Sequence, residues 1–408
     1  MIEIQDKSAC CGCGACSQSC PQGCIRMERD PEGFLYPLAD AGRCVGCGLC
    51  ERVCPLLHPE RREAAPVSEA WGVIHRDGDI HRLSSSGGAF TALAAHILAQ
   101  GGCVFGATFS PDFRRVEHIR IDRGEELPRL RGSKYLQSEI GSCYADTKAE
   151  LLAGRQVLFS GTPCQIAGLK SFLGEPYEGL LCVDVFCHGT PSPLLWERYL
   201  QHVEDSLGGR AVTVSFRHKE AAPSSPVPAG QRRYYGGKNR DPYLKMFLNN
   251  FCLRESCYRC AVKEGGFVSD LSLGDFWGVE AVAPELYNPL GASLVLVHTE
   301  KGKRLLDAVL PALETVPVDF DAALAGNWVA KDSVARPPER DVFFDDLRRL
   351  DWPGMEDKYT RVSLSTRLRK SLSDSFVGDL KRRVLSGSSA PKKKPSLQFG
   401  LQIFTGKK

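Results

Sequence analysis

One cysteine pattern is written twice near the N-terminus. Cys10, Cys13, Cys16 and Cys20 are followed by Pro21, and Cys44, Cys47, Cys50 and Cys54 by Pro55, so both copies read C-x2-C-x2-C-x3-C-P. Runs of this kind hold a pair of [4Fe-4S] clusters, with the fourth cysteine of each run crossing to the other cube. The spacing assigns Cys10, Cys13, Cys16 and Cys54 to one cluster and Cys44, Cys47, Cys50 and Cys20 to the second. Three thiolates on a Gly-containing loop face one cube, and the prolines turn the last ligand toward the opposite one. Zinc would call for two C-x2-C pairs rather than two runs of four. Such clusters carry electrons one at a time. Cys11 and Cys24 lie outside the pattern and have no assigned role.

Four more cysteines stand where elements end. Cys164 follows Gly161-Thr162-Pro163, between the strand-like Val157 to Ser160 and a helix from Gln165 to Leu173. Cys187-His188-Gly189 ends the strand Leu180 to Phe186, and Cys257-Tyr258-Arg259-Cys260 follows a helix from Tyr243 to Phe251. Strand ends are where α/β domains put their chemistry, and a helix start favours a thiolate at Cys164. Cys164, Cys187, Cys257 and Cys260 make a set for a third [4Fe-4S] cluster, with a structural zinc or unrelated buried thiols as the alternatives. Cys182 reads as core and Cys252 as a substitute ligand.

Two stretches suit an anion. Ser84-Ser85-Ser86-Gly87-Gly88 opens the Ala-rich helix Ala89 to Gln100, where bare N–H groups and the helix dipole would take a flavin pyrophosphate; an ordinary serine cap is the alternative. Gly132-Ser133-Lys134-Tyr135 sets a cation and a ring beside a turn, so that Lys134 would neutralise a phosphate or protonate a reduced flavin edge, unless it is simply solvated. Asp275, in Gly274-Asp275-Phe276-Trp277, either touches a cofactor or substrate or turns its Gly loop.

The elements that must position these residues need more than one core. At 408 residues, two or three domains are expected. We divide the chain into a cluster module at 1–58, a charged, Pro-bounded linker at 59–66, a smaller α/β domain at 67–148, a larger one at 149–335 and a basic appendage at 336–408. No apolar run reaches membrane-spanning length and no signal-peptide pattern opens the chain, so a cytoplasmic location is expected, with thiols reduced and clustered cysteines used for metal. Two clusters of exposed type hint at an anaerobic or microaerobic cell. The net charge of +3 is uneven: residues 361–408 carry 12 Lys and Arg against Asp374 and Asp379, leaving the rest at −7.

As an ordered set these motifs resemble the beta-subunit family of coenzyme F420-reducing hydrogenase and dehydrogenase, over roughly residues 1–310. That resemblance implies a two-[4Fe-4S] ferredoxin module followed by a two-part α/β flavin-binding region, with FAD between the two later domains and an extra cluster passing electrons to it. It marks Ser85, Ser86, Gly87, Gly88, Ser133, Lys134, Tyr135, Gly161, Thr162 and Pro163 as cofactor contacts. Family members oxidise a deazaflavin, reduce a tetrapyrrole, or belong to groups associated with cell-surface polysaccharide synthesis, to which the Cys-His-Gly and Ser-Cys-Tyr-x-Cys wording is most similar.

Two functions are carried forward. In the first, an oxidoreductase passes electrons between a ferredoxin-type or F420-like carrier and an organic small molecule through clusters and FAD, with Lys134 or His188 as proton donor and Asp275 in the pocket. In the second, the chain is an electron relay inside a larger redox complex, without a substrate of its own. A redox carrier, not nucleic acid, is the expected partner, and oligomers are compatible with the composition. In the tail, Leu364, Leu368, Leu372, Phe376, Leu380 and Val384 recur every four residues beside basic ones, as in a helix resting on an anionic membrane, on an acidic partner or on the acidic body.

Overall fold

The computed structural model describes residues 1–61, 66–219, 228–360 and 399–406. The N-terminal module repeats itself in geometry as in sequence. Short helices Ala15–Gln18 and Leu49–Arg52 each start from a glycine in the left-handed region, Gly14 at φ 77° and Gly48 at φ 70°, a conformation that other residues adopt only under strain. Between them lies an antiparallel hairpin of β1 (Ile25–Arg29) and β2 (Leu35–Ala39).

The body is built on one nine-stranded mixed sheet. Its strands are β3 (Glu69–His75), β4 (Cys103–Phe109), β5 (Val116–Ile121), β6 (Ser138–Glu139), β7 (Val157–Gly161), β8 (Leu180–Val185), β11 (Leu271–Asp275), β12 (Ser293–Val297) and β13 (Leu313–Val318), in the order β13-β3-β12-β11-β8-β7-β4-β5-β6. The block β11-β8-β7-β4 is parallel. Its apolar runs are covered on both faces, and alternation sorts them. Leu158, Leu181 and Val183 pack under the helices Ala89–Ala99 and Glu300–Val309, while Val157, Phe159, Leu180 and Cys182 pack under Cys143–Leu152 and Pro163–Leu173.

This sheet crosses the 148/149 boundary expected from sequence. Strand β3, from the smaller expected domain, lies between β12 and β13 of the larger one. Strand pairing at such separation leaves no local mark on the chain.

Between β8 and β11 an insert carries the helix Pro193–Leu207 and the strands β9 (Arg210–His218) and β10 (Gln231–Gly237). These two do not pair with each other. β14 (Gly400–Gly406) lies between them, antiparallel to both. The helices Arg340–Arg349 and Trp352–Thr360 bury Phe343, Phe344, Leu347 and Met355 in the same core as Trp196 and Tyr243. The described parts of 336–408 are therefore integral to the fold and not an appendage, because they supply apolar side chains that the insert needs. The leucine-spaced basic segment from Leu364 to Val384 lies outside the described residues. Among the described residues no helix is long and apolar enough to cross a membrane.

Candidate functional site

The two cysteine runs fold around two cavities of nearly equal size. One, of about 350 Å³ with its mouth included, is lined by Cys10, Cys13, Cys16 and Cys54, and the other, of about 340 Å³ on the same measure, by Cys20, Cys44, Cys47 and Cys50. Each thus takes three thiols from one run and the fourth from the other. A fifth thiol stands at each, Cys11 at the first and Cys24 at the second, where Cys24 Sγ lies 3.3 Å from Cys20 Sγ. Burial pushes the Cys10 thiol up, and the Arg254 guanidinium beside it acts in the opposite direction.

A third cleft, of about 560 Å³ with its mouth included, is lined by Cys164, Cys187, Cys257 and Cys260 together with Cys11 and His188. Three segments converge here: the turn after β7, the end of β8, and the 3-10 helix Glu255–Arg259 that runs into the short helix Ala261–Glu264. Among the described residues no three His, Cys, Asp or Glu donors are placed to share a single metal ion, here or in the N-terminal module. Four thiols spread around a cavity suit a cube, in which each ligates its own iron. Burial, then Cys257 and Cys164, raise the Cys187 thiol, while the buried Lys263, which donates to Cys187 O at 3.0 Å, lowers it. Cys164 sits in the first turn of the helix Pro163–Leu173. Its thiol is raised well above the ordinary value by a hydrogen bond with Cys11 and by burial. Cys252, expected as a substitute ligand, is fully buried in the aromatic core of the insert instead.

His188 lines the same cleft, with Nε2 2.6 Å from Asn250 Oδ1; burial lowers its pKa despite that partner. Gly161, Thr162 and Pro163 form the helix start beside it. The Thr162 N–H donates to Gln165 Oε1 at 3.0 Å, Thr162 Oγ1 lies 3.2 Å from Cys164 Sγ, and Pro163 borders the cleft.

The two anion-type stretches are brought together. Ser85 Oγ accepts from the Ser133 N–H at 2.6 Å and lies 2.9 Å from Ser133 Oγ. The helix Ala89–Ala99 starts at Gly88, φ 95°, with no side-chain cap. Gly87 is required by packing, since a Cβ there would come within 2.2 Å of Val73 O. Lys134 donates to the carbonyls of Arg129, Leu130 and Arg131 at 3.3, 2.9 and 3.1 Å, and burial brings its pKa down to about 7. Tyr135 packs against Phe216 and Phe247.

Asp275, at the end of β11, holds Arg217 through two hydrogen bonds of 2.6 and 2.9 Å. Arg217 also donates to Ser85 O at 3.3 Å, and Lys219 to Ser86 O at 2.6 Å. Buried Arg217 keeps an unpartnered Nε, and the Phe399 ring covers its guanidinium at 3.9 Å. Sequence reasoning missed Arg217, Lys219 and Arg254, none of which sits in a motif. Only Cys11, next to Cys10, carried a visible signal.

Residues 9–56 match the 4Fe-4S dicluster domain, and residues 154–320 match the family model for the C terminus of the coenzyme F420 hydrogenase/dehydrogenase beta subunit. The chain thus joins a 4Fe-4S dicluster module to a domain similar to the C terminus of the coenzyme F420 hydrogenase/dehydrogenase beta subunit. A similar curated protein of this kind is the coenzyme F420-dependent sulfite reductase of Methanocaldococcus jannaschii, 23% identical over 319 residues, which cover 75% of this chain and 47% of that protein. The chain therefore spans about half the length of that relative. Among solved structures, a chain of the F420-reducing [NiFe] hydrogenase complex from Methanosarcina barkeri matches with a TM-score of 0.43 at 15% identity, over 67% of this chain and 97% of that one. The N-terminal module is an iron–sulfur electron carrier.

Proposed function

We propose that the chain is an iron–sulfur flavoprotein oxidoreductase that passes electrons between a ferredoxin-type or deazaflavin carrier and an organic substrate. The observation that carries this reading is the third cleft. Its four thiols come from distant segments, and Cys11 lines both it and the first N-terminal cavity. Such a site extends an electron path from the N-terminal module to the ends of the parallel strands.

Cys164, Cys187, Cys257 and Cys260 would hold a third [4Fe-4S] cluster, with Lys263 as buried countercharge. FAD would take its pyrophosphate at the uncapped helix start after Gly88, beside Ser85, Ser133 and the unpartnered Arg217 Nε. When bound, FAD supplies the exchange between one-electron and two-electron chemistry. Lys134, brought to about 7 by burial, is matched to proton donation near neutral pH. Asp275 acts on Arg217, and so positions a cation rather than meeting substrate directly.

A relay within a larger complex is the second reading, favoured by Phe399, whose ring covers the Arg217 guanidinium beside the proposed flavin position. Iron, sulfide and flavin analysis of anaerobically purified protein tests the first. We expect about twelve irons and one FAD, and Cys164→Ala should lose about four irons with the N-terminal cluster signals intact. Full iron in Cys164→Ala would remove the third site. Flavin without reduction of any F420-type carrier or organic acceptor would turn the reading to the relay.

A further inference from the structure

The two N-terminal cavities match in volume and thiol number but not in surrounding charge. Arg254, from the insert between β8 and β11, is 1% exposed and packs behind Cys10 of the first cavity. Its Nε donates to Cys10 O at 2.8 Å, Nη1 to Gln137 Oε1 at 3.1 Å and Nη2 to Leu35 O at 3.0 Å. Nη2 also points at Cys10 Sγ, 3.6 Å away. The Tyr36 ring lies 4.1 Å from the guanidinium carbon. Gly12 is fitted to this side chain, since a Cβ there would stand 2.8 Å from Arg254 Nη1.

Among the described residues no carboxylate pairs with Arg254. A buried guanidinium without a counter-ion is costly unless negative charge faces it. A thiolate-ligated cluster at Cys10, Cys13, Cys16 and Cys54 provides that charge. At the second cavity the Ile2 N–H also meets a ligand sulfur, Cys50 Sγ at 3.3 Å, but the nearby cation, the Met1 ammonium, is partly exposed and already paired with Glu51 at 3.0 Å. This cavity lies toward solvent, with Cys47 exposed and Val45 65% exposed.

We infer that Arg254 sets the reduction potential of the first cluster above that of the second, and so biases electrons toward the side of the module that adjoins the third cleft through Cys11. Reduction adds one negative charge to a cluster. A buried positive charge and an N–H directed at a ligand sulfur stabilise that reduced form more than the oxidised one, and low dielectric preserves the effect. The inference rests on the N-terminal clusters and needs neither the third cluster nor a flavin.

Potentiometric titration followed by electron paramagnetic resonance, on the anaerobically reconstituted full chain, tests it. Cys16→Ser and Cys47→Ser identify the signals of the first and second clusters, and iron analysis of the same samples reports separately on whether both are present. The first cluster should titrate at the higher potential in the wild type. Arg254→Gln should lower it at least tenfold in the one-electron equilibrium, about 59 mV, with the second cluster unmoved, and Arg254→Lys should retain part of the difference. A first cluster at or below the second in the wild type overturns the inference, as do unchanged or equally shifted midpoints in iron-replete Arg254→Gln. If Arg254→Gln sheds iron, the wild-type order and Arg254→Lys decide.

Discussion

Asp275 shows how a residue's apparent chemistry depends on its partner. Its carboxylate is committed to Arg217, whose side chain is only 5% exposed. Asp275→Ala should therefore destabilise the protein by about 3–5 kcal/mol, because it strands a buried charge. Denaturant unfolding of the anaerobic protein measures this, and unchanged stability with lost activity would return Asp275 to the reacting centre. Asp241 makes a pH prediction. Burial raises its carboxyl from 3.8 to about 6, against hydrogen bonds from Tyr199, the Leu244 N–H and Tyr234. Between those values the folded state holds a proton that the unfolded state has lost, so stability falls as pH rises. Relative to Asp241→Asn, which cannot titrate, the wild type should lose on the order of 3 kcal/mol between about pH 4 and pH 6 and stay level above.

At the scale of elements, β14 is the consequential piece. It separates β9 from β10, and Leu401 and Ile403 are fully buried. Leu401→Ala should cost about 2–5 kcal/mol. Truncation after Thr360 would remove this strand along with the basic segment, so it cannot isolate a docking function. Replacing residues 362–396 by a Gly-Ser linker of equal length keeps β14. If the basic segment docks on anionic surfaces, that protein should hold its melting temperature and lose salt-sensitive binding to anionic vesicles. Lost stability with unchanged vesicle binding would assign the segment to the fold.

At the scale of the molecule, the N-terminal module is seated on the body. Arg340, 2% exposed at its side chain, donates to both carboxylate oxygens of Glu32 in the β1–β2 turn, at 3.1 and 2.7 Å. Phe34 is fully buried and meets Phe344 edge to face. Residues 1–58 expressed alone would expose Phe34 and lose the contacts of Arg254. The excised module should bind a hydrophobic dye and release its iron to a chelator faster than the full chain. Equal iron retention would show that the seat is dispensable.

The cysteine runs were legible because ligand and spacing are adjacent in sequence: each C-x2-C-x2-C-x3-C-P run brings three ligands to one cluster and sends its fourth to the other, and the repeated glycines repeat its geometry. The strands starting at Val157 and Leu180 and the helix starting at Ala89 were legible for a similar reason, since their patterns are local. The third cleft was half legible, as four cysteines at element ends without the fold that gathers them. What only the tertiary structure decided depends on distant partners. Cys11 acquires a place because Cys164 folds against it. Arg254 and Cys10 are 244 residues apart, and Arg217 matters only because Asp275 and Phe399 close on it. The same holds for β14, whose partners β9 and β10 precede it by more than 160 residues. Local pattern fixes which groups exist and how each segment folds, whereas burial and pairing across the chain fix which of those groups meet.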